Sequence, residues 1–517
     1  MLRAPSNALR RAAMHPMSSD VSSWRSRWQA WAPRPAVALG LLALWLLLSL
    51  GWRPLLLPDE GRYAGVALEM LHRDVLVPTL LGLPYFHKPP LMYWIDVAAM
   101  SLLGVNALAA RMAPALGGWL MAAALYLTLR QRPGGARQAG LALVVLATTP
   151  FYFVGAQYAN HDMLVAGLIS VAILAARHAV QVASPLRWVV LAWAAAALAL
   201  LSKGLIGIVL PVAVLLPWLL ATRRWQALRS LLHPLGVASF VLIAAPWFVA
   251  MQLRFPAFFD YFFIEQHFRR FTGSDFNNAQ PWWFFAPVLL LLTLPWSAAL
   301  WATWRGRSEA NADDERGFWL WWLLVVVVFF SLPTSKLVGY VLPALPPLVA
   351  LLVPALGRGR AWRWLLPLAA ALCLAIVAVL AWQAPKSNAD IGLALRDAAL
   401  RGERVVFVDD AYFDLPFYAR MRRAPLVLGD WDSPAIDPRD DWRKELRDAA
   451  RFAGPGAASP LWPLSRGAEL WCHNEPTWFV AAPGWRPPPA WGQASLVLKG
   501  RQAELLRALP GASQACP

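Results

Sequence analysis

Cysteine is scarce in this chain of 517 residues. The three present are Cys373, inside an apolar run, and Cys472 and Cys516 near the C-terminus, too few for a disulfide scaffold or a cysteine-rich zinc site. Charge is scarce too. Only 15% of the residues are Asp, Glu, Lys or Arg, against about a quarter in soluble domains, while 58% are apolar. A soluble single-domain enzyme is thereby excluded. The balance of 47 basic against 30 acidic residues gives a net charge of +17, yet no basic tract occurs. The bases lie between hydrophobic runs, which fits a membrane better than nucleic acid. Lysine is rare: arginine outnumbers it 41 to 6. There is no convincing internal repeat and no low-complexity tract beyond the proline-rich turn Arg486-Pro-Pro-Pro-Ala490.

What the chain has instead is a succession of apolar runs near the ~20 residues that cross ~30 Å of hydrocarbon. They predict spans near 36–52, 108–129, 139–154, 163–180, 188–202, 204–221, 231–251, 283–304, 317–332, 337–356 and 361–383. Residues 1–35 lack an early cleavable signal and carry Arg3, Arg10, Arg11, Arg25, Arg27 and Arg34. They read as a cytoplasmic basic arm ahead of a signal anchor. Every second connection then holds arginines: Arg130/Arg132/Arg137, Arg177/Arg187, Arg223/Arg224/Arg229, Arg305/Arg307/Arg316 and Arg358/Arg360/Arg363. Those loops are expected inside. Leu91–Gly104 is short for a span and would upset this alternation, so it reads as an interfacial or re-entrant helix, the alternative being a short tilted span.

After Ala384 charges become frequent. A strand is expected at 403–410, a helix at 437–452 and further strands near 477–482 and 494–498. The expected organisation is therefore a basic arm (1–35), a transmembrane domain (36–383) and a small α/β domain (384–517), which an odd number of spans puts outside the cytoplasm. There Cys472 and Cys516 could pair or stay unpaired.

Charges on the expected outer side form a different population: Asp59, Glu60, Lys88, Asp162, Lys203, Glu265, His267, Arg269, Arg270 and Lys336. All three lysines of the membrane region fall there, as compact point charges suited to phosphate, although three residues can also share a side by chance. Asp59 opens an amphipathic segment, Tyr63 to Leu76, and could simply cap that helix. Lys88 precedes Pro89-Pro90 on a stiff loop, as a phosphate ligand or a snorkelling anchor. Asp162 tops a span with no nearby cation in sequence to neutralise it. The run Phe262-Phe-Ile-Glu-Gln-His-Phe-Arg-Arg-Phe271 could present polar groups to a cavity or merely anchor at the interface. Carboxylates, cations and aromatic walls together suit an anionic lipid phosphate and a sugar.

Several of these motifs, in matching order over about residues 36–356, resemble a known family: Asp59-Glu-Gly-Arg-Tyr-Ala64, Tyr85-Phe-His-Lys-Pro-Pro-Leu91, Asp162-Met163, Ser202-Lys-Gly204, Glu265-Gln-His-Phe-Arg-Arg-Phe271 and Ser335-Lys-Leu-Val-Gly-Tyr-Val-Leu-Pro343. The resemblance is to the aminoarabinose transferases of lipid A, within the protein O-mannosyltransferase-like GT-C glycosyltransferases. It implies a polytopic GT-C fold of about 11 to 13 transmembrane helices plus interfacial helices. It also implies an inverting transferase at the periplasmic face of the bacterial inner membrane. The donor would be a polyprenyl-phosphate-linked sugar, 4-amino-4-deoxy-L-arabinose or a hexose, and the acceptor lipid A or another glycan or protein. By the same resemblance Asp59 and Asp162 are the catalytic carboxylates. Lys88 and Arg270 hold the lipid phosphate near Tyr340, and Glu60, Arg62, Tyr85, Lys203, Arg269 and Lys336 belong to the substrate site. Close members carry a glutamate before the lysine of Lys-Pro-Pro, which with the loop histidine can hold a metal. Here the position is His87, so His87 and His267 would be the zinc ligands, an incomplete set. No nucleotide or redox cofactor is implied.

A lipid flippase or transporter is the competing reading, with the same phosphate cavity and no bond made. It lacks the midplane charges and broken helices in related halves that transport asks for. A scaffold whose outer domain binds a partner leaves the ordered lysines and aspartates without a reason.

Overall fold

The computed structural model describes residues 34–132, 134–269, 278–300, 313–358, 362–384, 386–436, 441–454, 458–472 and 475–509. Most of the basic arm, along with Arg305, Arg307, Arg360 and Cys516, lies outside them.

The membrane part is helical. In chain order it contains α1 (Pro35–Leu47), α2 (Asp59–His72), α3 (Leu91–Leu103), α4 (Met112–Arg130), α5 (Gly135–Ala147), α6 (Pro150–Gly155), α7 (His161–Ala179), α8 (Leu186–Lys203), α9 (Ile206–Ala221), α10 (Trp225–Leu231) and α11 (Pro234–Arg254). Then come a wider-wound helix, Asp260–Arg269, and α12 (Phe285–Leu292), α13 (Asp313–Ser331), α14 (Leu345–Arg358) and α15 (Trp362–Gln383). Among the described residues six helical stretches are long and apolar enough to cross a membrane: Ala109–Arg130, α7, α8, α11, Val338–Gly357 and α15. Four shorter apolar helices, α1, α3, α5 and α9, accompany them. Helix α7 is the hub, with 89% of its apolar window buried between α4 and α8, whereas α15, at 17%, leaves its leucines and tryptophans at the periphery.

Two expected spans are interrupted. The run 139–154 is divided into α5 and α6 at Thr148-Thr149-Pro150. Pro150 has no N–H to continue the ladder, and the two threonine hydroxyls bond back to the carbonyls of Val144 and Val145 at 2.7 Å. The run 283–304 gives only the short α12 before Leu294-Pro295 and a turn, Trp296–Ala299. Helix α3 forms where the interfacial helix was expected. Its 13 residues rise about 20 Å, short of the ~30 Å hydrocarbon core.

The C-terminal region folds as α16 (Ala389–Leu400), α17 (Leu415–Ala419) and α18 (Trp442–Ala450) around a six-stranded sheet. A two-stranded ribbon, β1 (Thr79–Leu80) and β2 (Leu83–Pro84), lies far upstream between α2 and α3. The sheet strands are β3 (Arg404–Val408), β4 (Leu426–Gly429), β5 (Leu461–Pro463), β6 (Thr477–Ala481), β7 (Ala494–Lys499) and β8 (Glu504–Ala508), in the order β5-β4-β3-β6-β8-β7. The pairs β5-β4, β4-β3 and β3-β6 are parallel, and β8 runs antiparallel to β6 and β7. Alternation along the strands sends Val406, Val408, Leu428 and Phe479 to one buried face, and Val405, Phe407, Val427 and Val480 to the core shared with the helices. Cys472 is disulfide-bonded, and Cys373 is free and buried.

This domain rests on α2. Tyr418 Oη accepts from the Leu55 amide at 2.6 Å, and the Leu57 amide donates to the Lys386 carbonyl at 2.9 Å.

Candidate functional site

Helix α2 begins at Asp59, directly after Pro58 at the N-cap, which has no side chain able to cap it. Asp59 Oδ1 receives Arg62 Nη2, one turn on, at 2.5 Å. Both face a cavity of about 450 Å³. The loop after the β1-β2 ribbon brings Tyr85, His87 and Lys88 to it, the start of α7 brings Asn160, His161 and Asp162, and the end of α8 brings Lys203. Tyr340 closes a further side, and Val165, Ile169, Leu205, Ile206, Val209 and Phe329 form an apolar wall.

Asp162 does have a cation: Lys203, 41 residues later, forms an ion pair with Oδ1 and lies 4.6 Å above the Tyr340 ring. Asn160 caps α7 by accepting from the Asp162 amide at 3.0 Å, and its amide donates to Asp162 Oδ2 at 3.1 Å. A Cβ on Gly339 would overlap that same carboxylate, so glycine is what lets the Tyr340 segment come so near. His161 bonds through Nδ1 to the Ser202 carbonyl at 2.7 Å, tying α7 to the end of α8. A carbonyl only accepts, so Nδ1 carries a proton.

A third carboxylate arrives from the C-terminal domain. Glu445, on α18, accepts from Arg62 Nη1 at 2.5 Å and from the Tyr85 hydroxyl at 3.2 Å, and its Oε1 stands 3.9 Å from His87 Nδ1. Burial disfavours the Arg62 cation, but Glu445, followed by Tyr85, Tyr63 and Asp59, more than offsets this and raises its pKa well above the usual value. Sequence reading missed Glu445, because Trp442–Ala450 looks like any amphipathic surface helix. Tyr63, Asn160 and His161 are missed as well, although each lies within two residues of a candidate.

Two expected substrate residues stand elsewhere. Glu60 is fully buried away from the cavity between Arg53 and Arg111, and also accepts from the amides of Leu56 and Ala159 at 2.9 Å. Burial would push its pKa up, yet Arg111 and Arg53 hold it down at about 2. Its task is to bind the α2 start to the Asp162 loop. Lys336 directs its ammonium to the carbonyls of Gln280 (2.8 Å) and Pro333 (2.5 Å), outside the cavity lining. Arg270 and the side chains of His267 and Arg269 lie outside the described residues. Among the described residues no group of three His, Cys, Asp or Glu side chains stands close enough to hold a metal ion. At His87 the described donors are its imidazole and Glu445, whose carboxylate is already engaged by Arg62 and Tyr85. These two donors alone leave a zinc site incomplete, the side chain of the other candidate ligand, His267, lying outside the described residues, and no step below is routed through a metal.

Residues 87–249 match the family model described as dolichyl-phosphate-mannose-protein mannosyltransferase. The undecaprenyl phosphate-alpha-4-amino-4-deoxy-L-arabinose arabinosyl transferase of Pseudomonas savastanoi pv. phaseolicola is 33% identical over 338 residues, 63% of each chain. The enzyme of the same description from Aeromonas salmonicida is 35% identical over 354 residues, 65% of this chain and 64% of its own. The chain thus spans somewhat less than two thirds of these relatives. The crystal structure of ArnT from Cupriavidus metallidurans bound to undecaprenyl phosphate superposes with a TM-score of 0.77 at 25% identity, covering 93% of this chain and 99% of that one. By its apolar helices and its fold the chain is a multi-pass membrane protein, similar to that structure over nearly its whole length and to the arabinosyl transferases over somewhat less than two thirds of theirs.

Proposed function

We propose that this protein transfers a sugar of the aminoarabinose class from an undecaprenyl-phosphate carrier to lipid A or another envelope acceptor. The observation that carries the reading is the convergence of Asp59, Asp162, Lys88 and Lys203 on one cavity with an apolar wall, as a lipid-linked anionic donor requires.

As the bond from the anomeric carbon to the phosphate oxygen breaks, its electron pair goes to the phosphate and the sugar becomes oxocarbenium-like. Lys88, together with Arg270, stabilises the negative charge that collects on the leaving phosphate. An acceptor hydroxyl attacks the opposite face of the sugar and yields its proton to Asp59. Asp162, kept in place by Lys203 and Asn160, orients the sugar. Free undecaprenyl phosphate and the glycosylated acceptor are the products.

In this reading the reaction runs at the periplasmic face of the inner membrane, on two supports. Arginines gather in the alternate loops on the other side, and a disulfide at Cys472 suits an oxidising compartment. The test is incubation of the purified protein with labelled donor and lipid A, with both products read by mass spectrometry. Release of undecaprenyl phosphate with modified acceptor is expected. Movement of intact donor across a vesicle membrane without bond cleavage would instead mark a flippase.

A further inference from the structure

Among the described residues lining the cavity, Glu445 is the one supplied by the C-terminal domain. Asp441 caps α18 by accepting from the amides of Arg443 and Lys444 at 3.0 and 3.3 Å, which fixes the turn that carries Glu445. The result is a guanidinium shared between two domains: Arg62 Nη1 lies on Glu445 and Arg62 Nη2 on Asp59, each at 2.5 Å. The planar fork of arginine holds two partners in fixed directions, which an ammonium does not. Asp59 receives the fork through Oδ1 alone, and Oδ2 has no hydrogen bond among the described residues.

Charge gives the arrangement a purpose. The described lining residues contain three carboxylates (Asp59, Asp162, Glu445) and three fixed cations (Arg62, Lys88, Lys203). Without Glu445, Arg62 would be free to turn both arms onto Asp59, its neighbour one helical turn away. That pairing would occupy the oxygen which an incoming hydroxyl needs.

We propose that Glu445 is a positioning residue for the transfer: it draws one arm of Arg62 away and leaves Asp59 Oδ2 open to the acceptor. The C-terminal domain thereby completes the site. This rests on the transferase reading above, and the experiment keeps the two separable.

The full-length protein in lipid nanodiscs is compared with Glu445→Gln, which keeps the shape and loses the charge. A fall in kcat of roughly tenfold or more, with the donor KM changed by less than about twofold, is expected. In an Asp59→Asn background the same substitution should cause no further loss, since its effect runs through Asp59. A fold loss as large in that background, or wild-type kcat in Glu445→Gln, overturns the proposal. Hydrogen exchange reads the coupling without turnover: the amides of residues 59–65 should exchange faster in Glu445→Gln, and unchanged exchange there also overturns it. Should that variant fail to fold, Arg62→Lys, which keeps the charge but loses the fork, must reproduce the kinetic and exchange changes. Failure of the wild type to release polyprenyl phosphate counts against the reaction, while the exchange result still decides the coupling.

Discussion

Gly61 and Asp414 meet so closely that a Cβ on the glycine would stand 2.7 Å from the Asp414 amide nitrogen and 2.9 Å from its Cα. Backbone cannot give way as a flexible side chain can. This contact lies between Glu60 and Arg62, so it seats the C-terminal domain directly on the helix that carries Asp59. Gly61→Ala is expected to push the domain off α2, costing about 1–3 kcal/mol, as overpacking does, and to lower transfer because Glu445 leaves Arg62. Thermal unfolding and a turnover assay on the same preparation check both effects. Unchanged values in each would mean that the domain does not depend on this seat.

Asp59→Asn and Lys88→Ala should each lower transfer steeply while leaving a folded protein. If the acceptor is a hydroxyl, loss of the base costs ~10² to 10⁴-fold. A phosphate acceptor is already ionised, and Asp59→Asn should then cost less than that. The size of the Asp59→Asn defect therefore reports on the acceptor, and retained turnover in both variants would discard the site.

Much of this was legible in the sequence because short motifs carried it. Asp59, Lys88, Asp162 and Lys203 were all singled out, and the structure brings them to one cavity. Strands at 404–408, 477–481 and 494–499 form where short strand-like runs were expected, while Leu426–Gly429 and Leu461–Pro463 were too short to stand out. The Lys203 partner of Asp162 was invisible because it depends on the packing of α7 against α8 rather than on spacing. Glu445 was hidden for the same reason, since only docking of a distant domain puts it beside Arg62. Glu60 misled in the other direction: a carboxylate next to Asp59 looks like part of the site, but α2 turns it by roughly 100°, into the two buried arginines.

That geometry makes Glu60 a structural residue with a measurable signature. Glu60→Gln leaves the Arg53 and Arg111 cations buried without their counter-charge, a change worth about 3–5 kcal/mol. A large fall in melting temperature is expected, with the loop carrying Ala159 and Asp162 loosened alongside it. A variant that is stable but has lost donor binding would return Glu60 to the substrate site.

Asp414 gives a pH test. Burial raises its carboxyl, against the opposing hydrogen bonds from Asn388 and Ser387, to about 6, compared with an ordinary 3.8. Between these values the folded protein keeps a proton that the unfolded chain has released, so stability falls as pH rises from about 4 to about 6. The shift corresponds to about 3 kcal/mol at ~1.4 kcal/mol per unit. Glu60 works with the opposite sign, its depressed value withdrawing stability only as pH drops below its ordinary 4.5 toward about 2, so the two windows scarcely overlap. Asp414→Asn cannot ionise and should remove the decline between pH 4 and 6 while preserving acceptance from the Asn388 amide. Melting curves of the two proteins across this range should therefore diverge as pH increases, with the variant the more stable above pH 6. Parallel curves would show that the Asp414 carboxyl titrates in the folded protein as it does in the unfolded chain.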